Sequence, residues 1–136
     1  ITTRLVGSEM CIRDRAGVVK YHGYQSDMKR FYAMASCVVL PSYHEGMSNV
    51  LLEAAASGRP LITSDIPGCR EAVEDGNSGY LCPAKDANAL YGAMQRVMEL
   101  SVEQRSEMGC RGRKRMVKMF DKLLVINKTM NNLAVL

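Results

Sequence analysis

Short apolar runs alternate with amphipathic stretches along most of this chain. Residues 37–40 form a wholly apolar run, which is typical of a strand in a parallel sheet covered on both faces. Just before it, residues 27–36 carry apolar side chains at the i, i+3, i+4 and i+7 spacing of a helix, with Ser26 or Asp27 available as its N-cap. These apolar positions are Met28, Phe31, Tyr32 and Ala35. The pattern therefore predicts a helix followed by a buried strand.

The same alternation extends along the chain. Further strands are predicted at residues 18–22, 60–64 and 80–82, and further helices at residues 47–57 and 69–73. Gly58 stands where the helix at 47–57 needs a left-handed C-cap, and Gly68 permits a tight turn. Alternating strands and helices predict an α/β fold in which a parallel sheet has helices on both faces. Ligands of such sheets bind beyond the carboxyl ends of the strands.

The C-terminal part is predicted to be helical. Asp86 is expected to cap a helix, and residues 101–104 (Ser-Val-Glu-Gln) form a capping-box pattern that predicts another helix as far as about Phe120. The first helix has an apolar stripe of Leu90, Met94, Val97 and Met98. The last segment carries Leu123, Ile126, Met130 and Leu133. We assign residues 16–120 to one domain and residues 121–136 to a C-terminal amphipathic helix, whose apolar face we expect to be exposed.

Residues 1–15 do not fit this pattern. The run at 6–15, Val-Gly-Ser-Glu-Met-Cys-Ile-Arg-Asp-Arg, has no clear period and leads abruptly into the predicted strand at 18–22. It resembles a translated sequencing-adapter run of the kind found at the ends of metagenome-derived chains. We therefore expect residues 1–15 to be a non-native junction and exclude them from the fold prediction.

Composition narrows the class of protein. The 136 residues are 47% hydrophobic and 24% charged, which suits one globular domain at most. No apolar run approaches the roughly 20 residues that cross a bilayer, and no secretory signal pattern is present. The five cysteines are odd in number and lack a Cys-x-x-Cys pair, which argues against both a disulfide framework and a zinc site. We expect a cytoplasmic protein with reduced thiols.

The net charge of +4 comes largely from one cluster near the C-terminus. Its members are Arg111, Arg113, Lys114, Arg115 and Lys118. A solvated helix face is the favoured interpretation, and a peripheral contact with anionic lipid on the cytoplasmic face of a membrane is the alternative. Nucleic acid is not expected, because the cluster has no interleaved aromatic residues and no recognised binding motif.

The most informative segment is residues 41–56, Pro-Ser-Tyr-His-Glu-Gly-Met-Ser-Asn-Val-Leu-Leu-Glu-Ala-Ala-Ala. Gly46 allows a close approach to the backbone, and the N–H groups of Met47, Ser48 and Asn49 in the first helical turn would form an anion site for phosphate. Glu45 precedes this turn, whereas Glu53 lies roughly 7 to 9 Å further along the helix axis. A carboxylate at that distance can accept hydrogen bonds from a diol on the same ligand.

An ordinary structural explanation exists for the two glutamates. Acidic residues near a helix start are common, because they stabilise the helix by a few tenths of a kcal/mol. On spacing alone this explanation is the stronger one. The context changes the balance, because the glutamates stand between an apolar strand with a Pro-Ser turn and a helix closed by Gly-Arg-Pro.

This run resembles the E-x7-E motif of retaining glycosyltransferases of the GT-B fold, the glycosyl transferases group 1 class (family four). Three further segments resemble that family's motifs in the same order: His-Gly-Tyr at 22–24, Ser-Gly-Arg-Pro-Leu-Ile-Thr-Ser-Asp-Ile-Pro-Gly at 57–68, and Glu-Ala-Val-Glu-Asp-Gly-Asn-Ser-Gly-Tyr-Leu at 71–81. The resemblance covers roughly residues 18–120. It implies the second, donor-binding Rossmann-like domain of a two-domain enzyme, without its first strand and helix and the basic pair found there.

The resemblance also implies roles for individual residues. Glu45 would contact the hydroxyls of the donor sugar and act in catalysis, and Glu53 would contact the ribose hydroxyls. Diphosphate would lie against Gly46, Met47, Ser48 and Asn49, and the base near the backbone of Gly23 and Tyr24. Glu71 is either part of this site or only an acidic residue at a helix start.

No cofactor and no metal are expected, because the sequence has no Asp-x-Asp pair and the helix terminus would replace a cation. The donor would be a nucleotide sugar, with a UDP-sugar favoured. The acceptor, a glycan or a lipid-linked sugar, would bind mainly through the missing N-terminal domain. We expect this part of the protein alone to be inactive.

Other functions remain open at this level. A nucleotide-sugar-binding module that works with a separate acceptor subunit would carry the same motifs. A scaffold or signalling domain of similar fold would lack the ordered Glu-Gly and Glu-Ala pairs, and a sugar-nucleotide epimerase fits these residues less well.

Overall fold

The computed structural model describes residues 20–133. Its elements are α1 (Lys29–Met34), β1 (Val38–Leu40), α2 (Asn49–Ala56), β2 (Leu61–Ser64), a 3₁₀ turn (Arg70–Ala72), β3 (Gly79–Cys82), α3 (Ala87–Glu99), α4 (Val102–Phe120) and α5 (Lys122–Leu133). The predicted junction at residues 1–15 and the start of the predicted strand at 18–22 lie outside the described residues.

The three strands form a parallel sheet in the order β1-β2-β3. The central strand β2 is buried throughout. On one face Leu61 packs with α1, α2 and α4, through residues such as Tyr32, Leu51 and Met116. On the other face Ile62 packs with Ala93 and Val97 of α3. The predicted α/β fold with a parallel sheet and helices on both faces is confirmed.

The predicted strand at 18–22 is wrong for its described part. Residues 20–22 form no strand, and Tyr21 is 62% exposed. A strand needs a partner for its backbone groups, and none of the described strands lies beside this segment. Gly23, which follows this segment, has a left-handed φ of 64°.

The strand predicted at 37–40 exists but is less covered than expected. It begins at Val38, and all three residues of β1 are only half-buried. β1 pairs with β2 along one edge, and among residues 20–133 no strand lies along its other edge. The sequence predicted an apolar strand correctly, but it did not show that the rest of residues 20–133 would bury β1 only in part.

The helix caps predicted from the sequence are confirmed at Asp86, Ser101 and Gly58. The Asp86 carboxylate accepts the Ala89 N–H, and Ser101 and Gln104 form the complete capping box of α4. Gly58 adopts the left-handed conformation that ends α2, with a φ of 71°.

The predicted stripe of α3 needs a correction. Val97 is buried and Leu90 half-buried, but Met94 and Met98 are 41% and 78% exposed. Ala93 takes the inward position instead, because it lies three residues after Leu90 and four before Val97. Ala93 is 6% exposed and packs in the cluster with Ile62 and Val97.

The remaining helices lie on the outside of this core. The helix predicted at 69–73 is a single 3₁₀ turn. Of the apolar residues that the sequence indicated in α5, Leu123, Ile126 and Met130 are exposed, at 69%, 44% and 60%. No helix in the described part of the chain is both long and apolar enough to cross a bilayer.

Candidate functional site

The N-terminus of α2 is open. The helix begins at Asn49, two residues later than predicted, with Ser48 as an extended N-cap residue whose side chain makes no capping hydrogen bond. The first backbone bond of the helix runs from the Leu52 N–H to the Ser48 carbonyl. The N–H groups of Asn49, Val50 and Leu51 therefore have no partner within the helix, which is the arrangement that binds anions.

The predicted phosphate contact through the Ser48 amide needs a correction. That N–H donates to the Gly68 carbonyl oxygen at 3.3 Å, so it is directed into the protein. The sequence placed Ser48 inside the first turn, whereas the structure uses it to join the loop before α2 to the loop after β2. The exposed residues Met47 and Asn49 remain on the outside of the loop.

Gly46 lies in open space. A Cβ atom added there would meet no atom within 4 Å, and the residue has no positive φ. Neither packing nor backbone conformation in the described part of the chain therefore requires a glycine at this position. A ligand that approaches the backbone closely would require one.

Gly68 supports the same loop from behind. It has a left-handed φ of 87°, and a Cβ added to it would overlap the Gly46 carbonyl oxygen and stand 2.7 Å from the Glu45 carbonyl oxygen. The backbone of residues 45–46 thus rests directly on Gly68. The sequence indicated a tight turn at this glycine, but not its contact with the segment at 41–56.

Glu71 has a supporting role. Its carboxylate accepts the Gly68 N–H at 2.7 Å, and its carbonyl oxygen accepts hydrogen bonds from Nε and Nη2 of Arg115 at 3.3 and 3.2 Å. The sequence left open whether Glu71 belongs to the site or is only an acidic residue at a helix start, and the structure shows a use that neither interpretation named, the support of the turn at Gly68. Arg115, assigned from the sequence to a solvated face, instead anchors this turn to α4.

Glu45 lies in the loop between β1 and α2 and is half-buried. The start of the loop is fixed to β2, because the Ser42 N–H donates to Oγ of Ser64 at 3.0 Å. The Ser42 hydroxyl in turn donates to the His44 carbonyl at 3.2 Å. Glu45 is therefore held between two anchored points, Ser42 on one side and Gly68 on the other.

Glu53 is exposed on α2, one helical turn beyond the open N-terminus. The hydroxyl of Tyr32 on α1 donates to its Oε2 at 3.3 Å. Burial, and then the nearby Glu53 charge, raises the pKa of Tyr32 above its ordinary value. In the sequence, Tyr32 is only one of the apolar positions of the helix predicted at 27–36, and its spacing of 21 positions from Glu53 does not indicate the contact.

A cleft of 550 Å³ lies beside Glu53. Its lining includes Tyr32, Glu53 and Ser57 together with residues 26–29 at the start of α1. Gly23 and Tyr24 precede that wall without lining the cleft, and Tyr24 is 93% exposed. The structure thus brings the segment after Gly23 to the side of Glu53.

A second cavity, of 240 Å³, lies at the carboxyl ends of the strands. It is lined by Pro41, Tyr43, Ser64, Cys82, Pro83, Lys85, Asp86, Ala87 and Leu90. Burial raises the pKa of the Cys82 thiol, which donates to the Thr63 carbonyl at 3.3 Å, so this thiol is not poised for chemistry.

The grouping of potential metal ligands bears on the prediction of a metal-free site. Across residues 20–133, no three His, Cys, Asp or Glu side chains are grouped closely enough to hold a metal ion. The expectation of a metal-free and cofactor-free site stays a prediction.

Part of this chain is similar to two curated glycosyltransferases. Glycogen synthase of Mycobacterium tuberculosis is 45% identical over 65 residues, which cover 48% of this chain and 16% of that enzyme. The N,N'-diacetylbacillosaminyl-diphospho-undecaprenol alpha-1,3-N-acetylgalactosaminyltransferase of Campylobacter jejuni is 34% identical over 84 residues, covering 62% of this chain and 22% of that protein. The chain therefore spans about a fifth of the length of these curated relatives.

A solved structure shares the fold described above. Anabaena HepE in complex with UDP superposes with a TM-score of 0.85 over 95% of this chain and 36% of its own, at 21% identity. A family model described as "Glycosyl transferases group 1" matches residues 2–100. The order of motifs, the fold and this match agree, and the chain belongs to the glycosyl transferases group 1 family.

Proposed function

We propose that this chain is the donor-binding part of a retaining glycosyltransferase, which moves a sugar from a UDP-sugar to a glycan or a lipid-linked sugar. One observation carries the proposal: the open N-terminus of α2 lies next to Gly46 on one side and Glu53 on the other. Asn49 and Glu53 are four residues apart, about 6 Å along the helix axis. A diphosphate followed by a ribose has matching groups at such a distance.

Each part of the site has a distinct role in this proposal. The diphosphate lies against Gly46, Met47 and the N–H groups at the start of α2, and Glu53 accepts hydrogen bonds from the ribose hydroxyls. The base lies in the cleft beside residues 26–29, near the backbone of Gly23 and Tyr24. Glu45 holds the hydroxyls of the donor sugar.

Transfer requires the bond between the sugar and the diphosphate to break while negative charge develops on the leaving group. Fixed N–H donors at a helix N-terminus stabilise that charge in the transition state without having to reorganise. The contact of Gly68 with the backbone of residues 45–46 keeps these donors in place. Glu45 orients the sugar relative to the breaking bond, so this chain supplies donor positioning and leaving-group stabilisation.

The relatives support a UDP-sugar as the donor, whereas their acceptors differ widely. HepE is described in complexes with UDP and with UDP-glucose. The named activities of the relatives range from glycogen synthesis to transfer onto a diphospho-undecaprenol-linked sugar. A polymeric glycan and a lipid-linked sugar are therefore both within the acceptor class that we propose.

The proposal is tested by calorimetry of UDP, UMP, GDP and ADP with the intact protein. UDP should bind more tightly than UMP, because only UDP places a diphosphate at the start of α2. The Glu53→Ala variant should bind UDP about tenfold to a hundredfold more weakly, since a hydrogen bond to a charged group contributes about 1.5–3 kcal/mol. Glu99→Ala, at the end of α3 on the opposite face of the sheet, is the matched control and should bind normally.

Equal affinity for UDP and UMP would argue against a diphosphate site. Unchanged UDP binding by Glu53→Ala would remove the ribose role of this residue. Normal UDP binding by an intact protein that transfers no sugar from any nucleotide sugar to a glycan or lipid-linked acceptor would favour the alternative of a non-catalytic binding module.

A peripheral membrane contact remains part of the proposal for a lipid-linked acceptor. The structure divides the basic cluster: Arg111 donates to the Asn77 carbonyl and Arg115 to that of Glu71, whereas Arg113, Lys114 and Lys118 are exposed. Only these three cations of the cluster are free to face anionic lipid at the cytoplasmic surface, where each basic residue contributes about 1 kcal/mol.

A further inference from the structure

The Glu53 carboxylate is fixed by a neighbour from another helix. Tyr32 lies on α1, is 4% exposed, and its ring packs in the core cluster with Leu51 and Ala54. Its hydroxyl reaches out of this cluster and donates to Oε2 of Glu53 at 3.3 Å. Both residues line the cleft of 550 Å³. A rigid, buried ring thus carries a hydrogen-bond donor to an exposed carboxylate.

This contact has consequences for the conformation of Glu53. A free glutamate on a helix surface rotates about several bonds, and a ligand that binds it must first restrict that motion. The Tyr32 hydroxyl restricts Glu53 before any ligand arrives and occupies only Oε2. The other oxygen and the remaining lone pairs stay available to accept hydrogen bonds, since an ionised carboxylate has about four acceptor sites.

The protonation state of Tyr32 suits this role. Burial raises the pKa of its phenol, and the adjacent Glu53 charge raises it further. The phenol therefore keeps its proton at neutral pH and remains a hydrogen-bond donor to Oε2 of Glu53.

We propose that Tyr32 is a positioning residue of the donor site, which holds Glu53 in the conformation that accepts the ribose hydroxyls. The inference rests on the proposed function, in which Glu53 binds the ribose. Tyr32 acts through Glu53 and touches no reacting atom. A purely structural Tyr32 would stabilise the packing of α1 on α2. It would not affect how the protein distinguishes UDP from an analogue that lacks the 2′ and 3′ hydroxyls.

The test combines two mutations with two ligands. UDP and 2′,3′-dideoxyuridine diphosphate are titrated by calorimetry into the intact protein and into Tyr32→Phe, Glu53→Ala and the double variant. Tyr32→Phe keeps the buried ring and removes only the hydroxyl. Tyr91→Phe, which changes an exposed tyrosine on α3, is the matched control, and melting curves check that every variant is folded.

We expect Tyr32→Phe to weaken UDP binding about three- to tenfold, as expected for the loss of one supporting hydrogen bond. The same change should leave the affinity for the dideoxy analogue unaltered and should have no effect in the Glu53→Ala background. Tyr91→Phe should match the unmodified protein with both ligands.

Three results would overturn the inference, and the third would also overturn the proposed role of Glu53. One is an equal loss of affinity for UDP and for the dideoxy analogue, which is the signature of a general structural role. A second is a loss by Tyr32→Phe that persists in full when Glu53 is already alanine. The third is normal binding of UDP by Glu53→Ala itself, because the ribose role of Glu53 then fails first, and the role of Tyr32 fails with it.

Discussion

Helices α2 and α3 both follow strands of one parallel sheet, yet their N-termini are built in opposite ways. At α3 the Asp86 carboxylate accepts the Ala89 N–H and closes the helix end with the chain's own side chain. At α2 the N-cap residue Ser48 makes no such bond, and Gly46 beside it lies in open space. Helix α4 is closed more completely still, by its capping box.

The capped N-terminus of α3 contributes to stability, whereas the uncapped N-terminus of α2 is available to a ligand. A capping side chain contributes about 1 kcal/mol when it satisfies an N–H group. α2 lacks that contribution, and it is instead held from behind by Gly68 and Glu71, whose contacts lie on the loop and not on the first helical turn. The open end is therefore maintained by tertiary contacts.

The largest expected effect comes from breaking that support. Gly68→Ala should destabilise the protein by about 2–4 kcal/mol, which combines the strain of a left-handed alanine with the overlap of its Cβ with the Gly46 carbonyl. The matched control is Gly76→Ala, because Gly76 has a φ of 72° but open space around it. Urea denaturation measures both variants. A similar loss for the two glycines would show that the backbone of residues 45–46 does not rest on Gly68.

A smaller effect on UDP affinity should follow from placing a negative charge at the N-terminus of α2. Asn49→Asp keeps the number of non-hydrogen atoms in the side chain but adds a negative charge at the first residue of the helix. We expect UDP affinity to fall by roughly tenfold, about 1.4 kcal/mol, because the charge repels the diphosphate. Stability should rise by about 0.3–1 kcal/mol, because an acidic residue there favours the helix dipole.

Asn88→Asp, at the second residue of α3, is the control for this change. It adds the same charge at a helix end that no ligand is proposed to occupy, so it should leave UDP binding unchanged. Calorimetry and thermal melting of both variants measure the two effects. Equal UDP affinities for the Asn49 and Asn88 variants would mean that the start of α2 does not bind the diphosphate.

The smallest effect concerns the caps themselves. Asp86→Ala should lower the free energy of unfolding by about 1 kcal/mol, because the Ala89 N–H loses its partner. Ser48→Ala should cost clearly less, since the Ser48 side chain caps nothing. Chemical denaturation of the two variants compares them directly. A larger loss for Ser48→Ala would contradict the distinction between a closed and an open helix end.

Much of this fold was predictable from local sequence. Asp86, the capping box at 101–104 and Gly58 act through neighbours within a few residues, so their patterns specify their structures. The strand at 18–22 and the stripe of α3 were predicted less well. Strand formation depends on a distant partner, and the inward face of α3 depends on which of its residues meet the sheet.

The sequence by itself determined the order of strands and helices, the open glycine at residue 46 and the pair Glu45 and Glu53. Only the tertiary structure decided that the Ser48 amide turns inward to Gly68, that Glu71 supports this turn, and that Tyr32 holds Glu53. The physical reason is range, because capping and helical periodicity act within a few residues. The Ser48–Gly68 and Tyr32–Glu53 contacts join residues 20 and 21 positions apart, and the turn that Glu71 supports is fixed by Arg115, 44 positions away. The residue types of the candidate site can therefore be read from a short stretch of sequence, whereas their arrangement depends on contacts across the fold.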